Sequence, residues 1–233
     1  MKNAEPVPTA SGAVNNRTST SFLYRWEQAI IAAWLPRIPA WVQTHHLTLL
    51  SVLWSLGVLA CARLALADIR WLWAHALIIL CQYLTDVFDG AVGRHLGTGL
   101  VRWGYYMDHL LDFLFLGALG LGYAWLAPAR LRLLIMGITL VLAALMASTY
   151  LACMVLREFR LSYFRIGPTE LRVLLIGLNL LLIARGGWPP EAELAAPMVL
   201  GLLLIGLSLV VCRTQQRLWE LDMADARKDA PGP

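Results

Sequence analysis

Four aspartates carry the chemistry open to this chain. Asp86, Asp89, Asp108 and Asp112 sit in otherwise apolar stretches, where an ionisable residue at a membrane helix centre costs roughly 2.5–3.5 kcal/mol on insertion scales. Asp86 and Asp89 are three residues apart, and Asp108 and Asp112 are four apart. Each pair therefore shares one face of a helix. The two stretches connect through residues 95–103, which makes them antiparallel neighbours. Asp89 lies five residues before Arg94 and Asp108 four after Gly104, while Asp86 and Asp112 are each eight from those markers. The carboxylates thus pair at matching depths, within about two helical turns of one membrane surface.

Four carboxylates meeting in low dielectric repel one another. No Lys or Arg lies in either stretch beyond Arg94 at the edge. Hard divalent cations with oxygen ligands, Mg²⁺ or Mn²⁺, are the simplest counter-charge. Two such ions suit four carboxylates and the displacement of a phosphoryl group. Two other readings stand beside this one. The cluster could be a structural set of protonated or hydrogen-bonded aspartates, or the cation site of a transporter.

The rest of the chain must place these groups in a bilayer. Of 233 residues 59% are hydrophobic and 15% charged, with a mean hydropathy of +0.63. A soluble domain has about 25% charged residues, and here the apolar residues come in long runs. The composition excludes an ordinary soluble enzyme and implies one polytopic, all-α membrane domain. Cys61, Cys81, Cys153 and Cys212 lie in apolar stretches without metal-ligand spacing and read as buried small hydrophobes. Nothing points to a nucleic-acid partner.

Residues 1–20 are polar, lack the apolar core of a signal peptide and read as a disordered tail. Residues 21–38 read as an amphipathic helix along the membrane. Trp26, Trp34, Ile30 and Ile31 supply its apolar bulk, and Pro36 and Pro39 end it. Six spans are expected over residues 39–213: about 47–67, 71–92, 104–126, 131–156, 168–184 and 195–212. The fifth is short and carries Glu170 and Arg172 near its start. Residues 214–233 form a C-terminal tail. Fourteen Lys and Arg residues fall on one side of these spans and five on the other, so the first side, with both termini, is expected to be cytoplasmic. A transporter of this kind often shows internal repeats or broken helices, and neither is visible.

Residues 86–112 read DVFDGAVGRHLGTGLVRWGYYMDHLLD. This resembles the signature of the CDP-alcohol phosphotransferase (CDP-alcohol phosphatidyltransferase) family, D-x-x-D-G-x-x-A-R, a spacer, then G-x-x-x-D-x-x-x-D. Asp86, Asp89, Gly90, Arg94, Gly104, Asp108 and Asp112 match in order. Gly93 stands where the family usually has Ala, and the nine residues between Arg94 and Gly104 are one more than usual. The resemblance implies a cytoplasm-facing site on a six-span bundle in the inner (plasma) membrane, and a homodimer. It implies that Asp86, Asp89, Asp108 and Asp112 bind two Mg²⁺ or Mn²⁺ ions, with Asp112 also the general base for the acceptor hydroxyl. Gly90 would let the CDP group approach the backbone, and Arg94 would pair with its phosphate. Gly90 and Gly104 also read as helix-packing glycines, and Arg94 as a membrane-edge anchor. Thr48 falls near a nucleotide-lining position of the family. His45 and His46 beside it read as interfacial polar residues.

The activity implied is a transferase of phospholipid biosynthesis in which an acceptor hydroxyl displaces CMP from a CDP-alcohol, with CDP-diacylglycerol the expected donor. The alternative is transfer from a CDP-aminoalcohol to diacylglycerol, since Gly167–Glu170 resembles a segment of that branch of the family. An alternative of another class is a non-catalytic or ion-transporting membrane protein. Arg157, Arg160, Arg165 and Arg172 form a basic lip that could hold an acceptor phosphate or anionic lipid heads.

Overall fold

The computed structural model describes residues 24–39, 41–97, 100–156 and 168–229. The tail read over residues 1–20 and three members of the basic lip, Arg157, Arg160 and Arg165, lie outside them. Every regular element among the described residues is helical: α1 (Tyr24–Trp34), a 3₁₀ turn (Leu35–Arg37), α2 (Thr44–Ala65), α3 (Trp71–Leu96), α4 (Val101–Leu126), α5 (Ala129–Leu156), α6 (Pro168–Arg185) and α7 (Ala192–Asp229).

The helix limits follow local chemistry. Pro36 sits in the turn that ends α1. α2 opens on a capping box in which the Gln43 amide donates to His46 Nδ1 at 3.1 Å. His46 is therefore engaged in a helix cap. α3 ends at Gly97, whose φ of 60° is the left-handed turn glycine adopts most readily. Pro128 follows α4, and Gly186 and Gly187 close α6, the Gly187 amide donating to the Leu182 carbonyl at 2.9 Å.

Five helices are long and apolar enough to cross a membrane: α2, α3, α4 from Arg102, α5 and α7. α6 falls outside that set because its 18 residues include Glu170, Arg172 and Arg185. α7 runs 38 residues, well past the span expected at 195–212, through most of the segment read as a tail. No Gly or Pro interrupts residues 213–229, so nothing stops the helix there.

α2 packs on both α3 and α4, α6 leans on α3, and α5 links α4 to α7. Val58, Leu72, Ile79, Leu131 and Leu182 are fully or almost fully buried at the centre. α4 approaches α5 so closely at Gly120 that a Cβ there would overlap the Thr139 side chain. A polar knot crosses the same core. Tyr123 Oη donates to Asn179 Oδ1 at 3.1 Å and to the Leu175 carbonyl at 3.2 Å, and Asn179 Nδ2 meets His75 Nδ1 at 3.0 Å. It joins α3, α4 and α6 away from water, since His75 and Asn179 are wholly buried.

Candidate active site

α3 and α4, each packed on α2, bring carboxylates together at one level without the close helix-to-helix packing that the short connection suggested. Asp86, Asp108 and Asp112 each present an oxygen within 4.8 Å of the others. Asp89, one turn from Asp86, stands outside that trio and turns toward α2, where Thr48 Oγ1 donates to Asp89 Oδ2 at 2.5 Å. It remains within electrostatic reach of Asp86 and Asp108. Asp89 Oδ1 is shielded from solvent and has no hydrogen-bond partner among the described residues. The donor set is all carboxylate oxygen, with one buried oxygen free, which fits a hard divalent ion.

Thr48 and Asp89 are both buried. Removing the hydroxyl would leave Asp89 with two unpartnered oxygens. Thr48→Ala is expected to cost about 1–3 kcal/mol of stability, the usual cost of orphaning a buried polar group, and Thr48→Ser to restore most of it; thermal unfolding in detergent reads both. One turn away, Thr44 Oγ1 is also buried without a partner among the described residues, and a Cβ at position 93 would lie 3.0 Å from it. Gly93, the departure from the family pattern, thus leaves room for Thr44.

The sequence puts Arg172 at the level of the aspartates as part of a basic lip, and the structure brings it into the cluster itself. Arg172 of α6 is buried and its Nη2 lies 2.8 Å from Asp86 Oδ2 and 3.5 Å from Asp112 Oδ1. Its Nε donates to Gln82 Oε1 at 2.9 Å, while Gln82 Nε2 donates to Asp112 Oδ1 at 3.1 Å. The guanidinium also faces the Tyr83 ring at 5.6 Å. The positive charge missing from α3 and α4 is therefore supplied in part by protein, and Arg172 belongs to the carboxylate cluster rather than to an exposed lip. Gln82 was the readable signal, being a polar residue in an apolar stretch one turn before Asp86 on the same face, and the structure buries it wholly.

Gly90 and Arg94 lie at the exposed end of α3, where a Cβ on Gly90 would stand 3.2 Å from Arg94 Nη1. The guanidinium folds over the glycine. A Cβ at Gly104 would meet no neighbour within 4 Å, so close packing among the described residues does not account for glycine there. On the α4 side, the His109 ring stacks between Tyr105 and Tyr150 at 4.1 and 4.0 Å, with its Nδ1 3.4 Å from Asp108 Oδ2.

The family model described as CDP-alcohol phosphatidyltransferase matches residues 29–213. The chain belongs to that family. No curated protein and no solved structure matches the chain. A CDP-alcohol phosphatidyltransferase is a membrane transferase of phospholipid synthesis that acts on a CDP-alcohol and an alcohol, and the family in general depends on divalent metal. The match runs from within α1 to the cytoplasm-expected end of the last span, so it embraces the acidic cluster and the helices that carry it.

Proposed function

We propose that this CDP-alcohol phosphatidyltransferase takes CDP-diacylglycerol as donor and a small hydroxyl compound as acceptor. The meeting of Asp86, Asp108 and Asp112 across α3 and α4 carries the reading, with Asp89 one turn away. Together they would hold two Mg²⁺ or Mn²⁺ ions, which supply charge neutralisation at the donor phosphates and a lowered pKa for the acceptor hydroxyl.

The chain's own groups do the rest. Arg94, folded over Gly90, puts a planar positive group at the exposed end of α3 for the donor phosphates. Gly90 keeps the backbone approachable there, and Thr48 orients Asp89 beneath it. Asp112 accepts the proton of the acceptor hydroxyl. The acceptor oxygen then bonds to the β-phosphorus, the pyrophosphate bridge breaks, and CMP leaves with the bridging oxygen. Gln82, donating to Asp112 Oδ1, fixes the carboxylate's aim during this transfer.

In this reading α6 is the remaining span of a six-span bundle, and α1 lies along the surface. Both termini and the site face the cytoplasm of an inner (plasma) membrane, as the distribution of Lys and Arg supports. A homodimer is carried over from family likeness.

The test is CMP release by the purified protein. CDP-diacylglycerol is supplied with inositol phosphate, glycerol 3-phosphate or serine, and CDP-choline or CDP-ethanolamine with diacylglycerol, each with Mn²⁺ and with chelator. Metal-dependent CMP from CDP-diacylglycerol supports the reading. CMP only in the diacylglycerol arms overturns the donor, and CMP from none overturns the reaction.

A further inference from the structure

We infer that Arg172 is a built-in counter-cation that competes with divalent metal for Asp86 and Asp112. The inference rests on the reading of the carboxylates as metal ligands and goes one step beyond it. Arg172 reaches the cluster from α6, while the carboxylates come from α3 and α4. Its Nη2 addresses Asp86 Oδ2 and Asp112 Oδ1, on two of the three side chains that gather within ligand distance of one another. A guanidinium and a divalent ion cannot both make close use of those oxygens without mutual repulsion.

The contact is held in place rather than incidental. Gln82 accepts from Arg172 Nε through Oε1 and donates to Asp112 through Nε2. One buried amide thus sets the guanidinium and a carboxylate against each other. The charges agree. Four aspartates and two divalent ions cancel, so Arg172 in contact leaves one positive charge in excess. With fewer ions, Arg172 brings a full positive charge against the repulsion among the carboxylates, beside the hydrogen bond that Gln82 donates to Asp112.

Linkage makes the competition reciprocal. If Arg172 weakens metal binding, metal weakens the bond between Arg172 and Asp86. The consequence falls on one end of α6. Asn179, seven residues further along, stays bonded to His75 and Tyr123 in the core. Metal therefore loosens the first turns of α6 while the distal half remains anchored on α3.

The test measures Mn²⁺ binding by calorimetry on the full-length protein in detergent. Arg172→Gln should bind Mn²⁺ about 10-fold more tightly than wild type, within the 5–150-fold span common for coupled sites. Arg172→Lys, which keeps the charge, should stay within about 3-fold of wild type. Equal or weaker binding by Arg172→Gln overturns the inference and leaves the metal reading standing. Absence of Mn²⁺ binding in all three proteins removes the metal reading itself. Hydrogen exchange in the wild type tests the reciprocal side without any substitution. Mn²⁺ should speed amide exchange over residues 171–175 and leave residues 179–183 unchanged. Unchanged or slower exchange over 171–175 overturns the inference.

Discussion

Asp112→Asn should lower the rate of CMP release by about 10²–10⁴-fold, the usual contribution of a positioned general base, with the protein still folded. Asparagine keeps the size of the side chain and an oxygen able to accept from Gln82 Nε2, which lies 3.1 Å from Asp112 Oδ1. What it loses is the capacity to take a proton and the charge that faces Arg172 at 3.5 Å. At saturating Mn²⁺ the loss should fall on kcat more than on the KM for the CDP-linked donor, because Asp86, Asp89 and Asp108 keep their carboxylates for metal and Gly90 and Arg94 are untouched. Thermal unfolding should show a shift of only a few degrees. A variant that releases CMP at the wild-type rate would strip Asp112 of the base role while leaving the cluster intact. A variant that loses rate and donor affinity equally would place the residue in binding. Asp86→Asn is the useful companion. Asp86 makes the shorter of the two contacts with Arg172, 2.8 Å against 3.5 Å, so its replacement should disturb the position of α6 more than Asp112→Asn does.

The acidic constellation was legible because helix geometry is strict. Spacings of three and four put Asp86 with Asp89, and Asp108 with Asp112, on one face of their helices, and the short connection returns the second pair to the level of the first. Most helix limits were legible for the same kind of reason. Trp71, Leu126 and Leu156 are helix ends in both the reading and the structure, with Pro128 and Pro168 acting as punctuation. Asp89 was legible only in part. Its place on the face of Asp86 follows from spacing, but its turn toward Thr48 depends on how α2 packs on α3. The level of Arg172 was legible but its pairing with Asp86 was not, since the two are 86 residues apart in sequence and a charge at the start of a short helix has an adequate local cause. A residue's partner across a bundle is decided by helix rotation, which no local pattern specifies. The pattern still held a hint. His75, Gln82, Asp86 and Asp89 recur at intervals of seven, four and three along α3, and Arg172 and Asn179 are seven apart on α6. Two polar stripes of equal period in adjoining apolar helices are expected to face each other, because each unpaired polar group in lipid costs free energy.

That second stripe carries the larger stability effect. In membrane proteins an interhelical hydrogen bond contributes on average about 0.6 kcal/mol, because the separated helices also find partners. Asn179→Leu should exceed this and cost about 2–4 kcal/mol. Asn179 is wholly buried and serves two other groups at once. Its Oδ1 accepts from Tyr123, so its Nδ2 donates to His75 Nδ1, and the imidazole proton stands on Nε2. That nitrogen has no hydrogen-bond partner among the described residues. Leucine at 179 would leave both nitrogens of a wholly buried imidazole unpaired, the situation in which the full desolvation penalty appears. Tyr123 would be spared, since its hydroxyl keeps the Leu175 carbonyl at 3.2 Å. The cost should therefore depend on His75. His75→Leu paired with Asn179→Leu removes the orphaned imidazole together with its partner, and the double variant should be more stable than the sum of the two single effects by about 1–2 kcal/mol. Thermal or denaturant unfolding of the four proteins in one detergent measures this. Additive single effects would mean that His75 and Asn179 are not coupled, and the distal half of α6 would then be held on α3 by apolar packing alone.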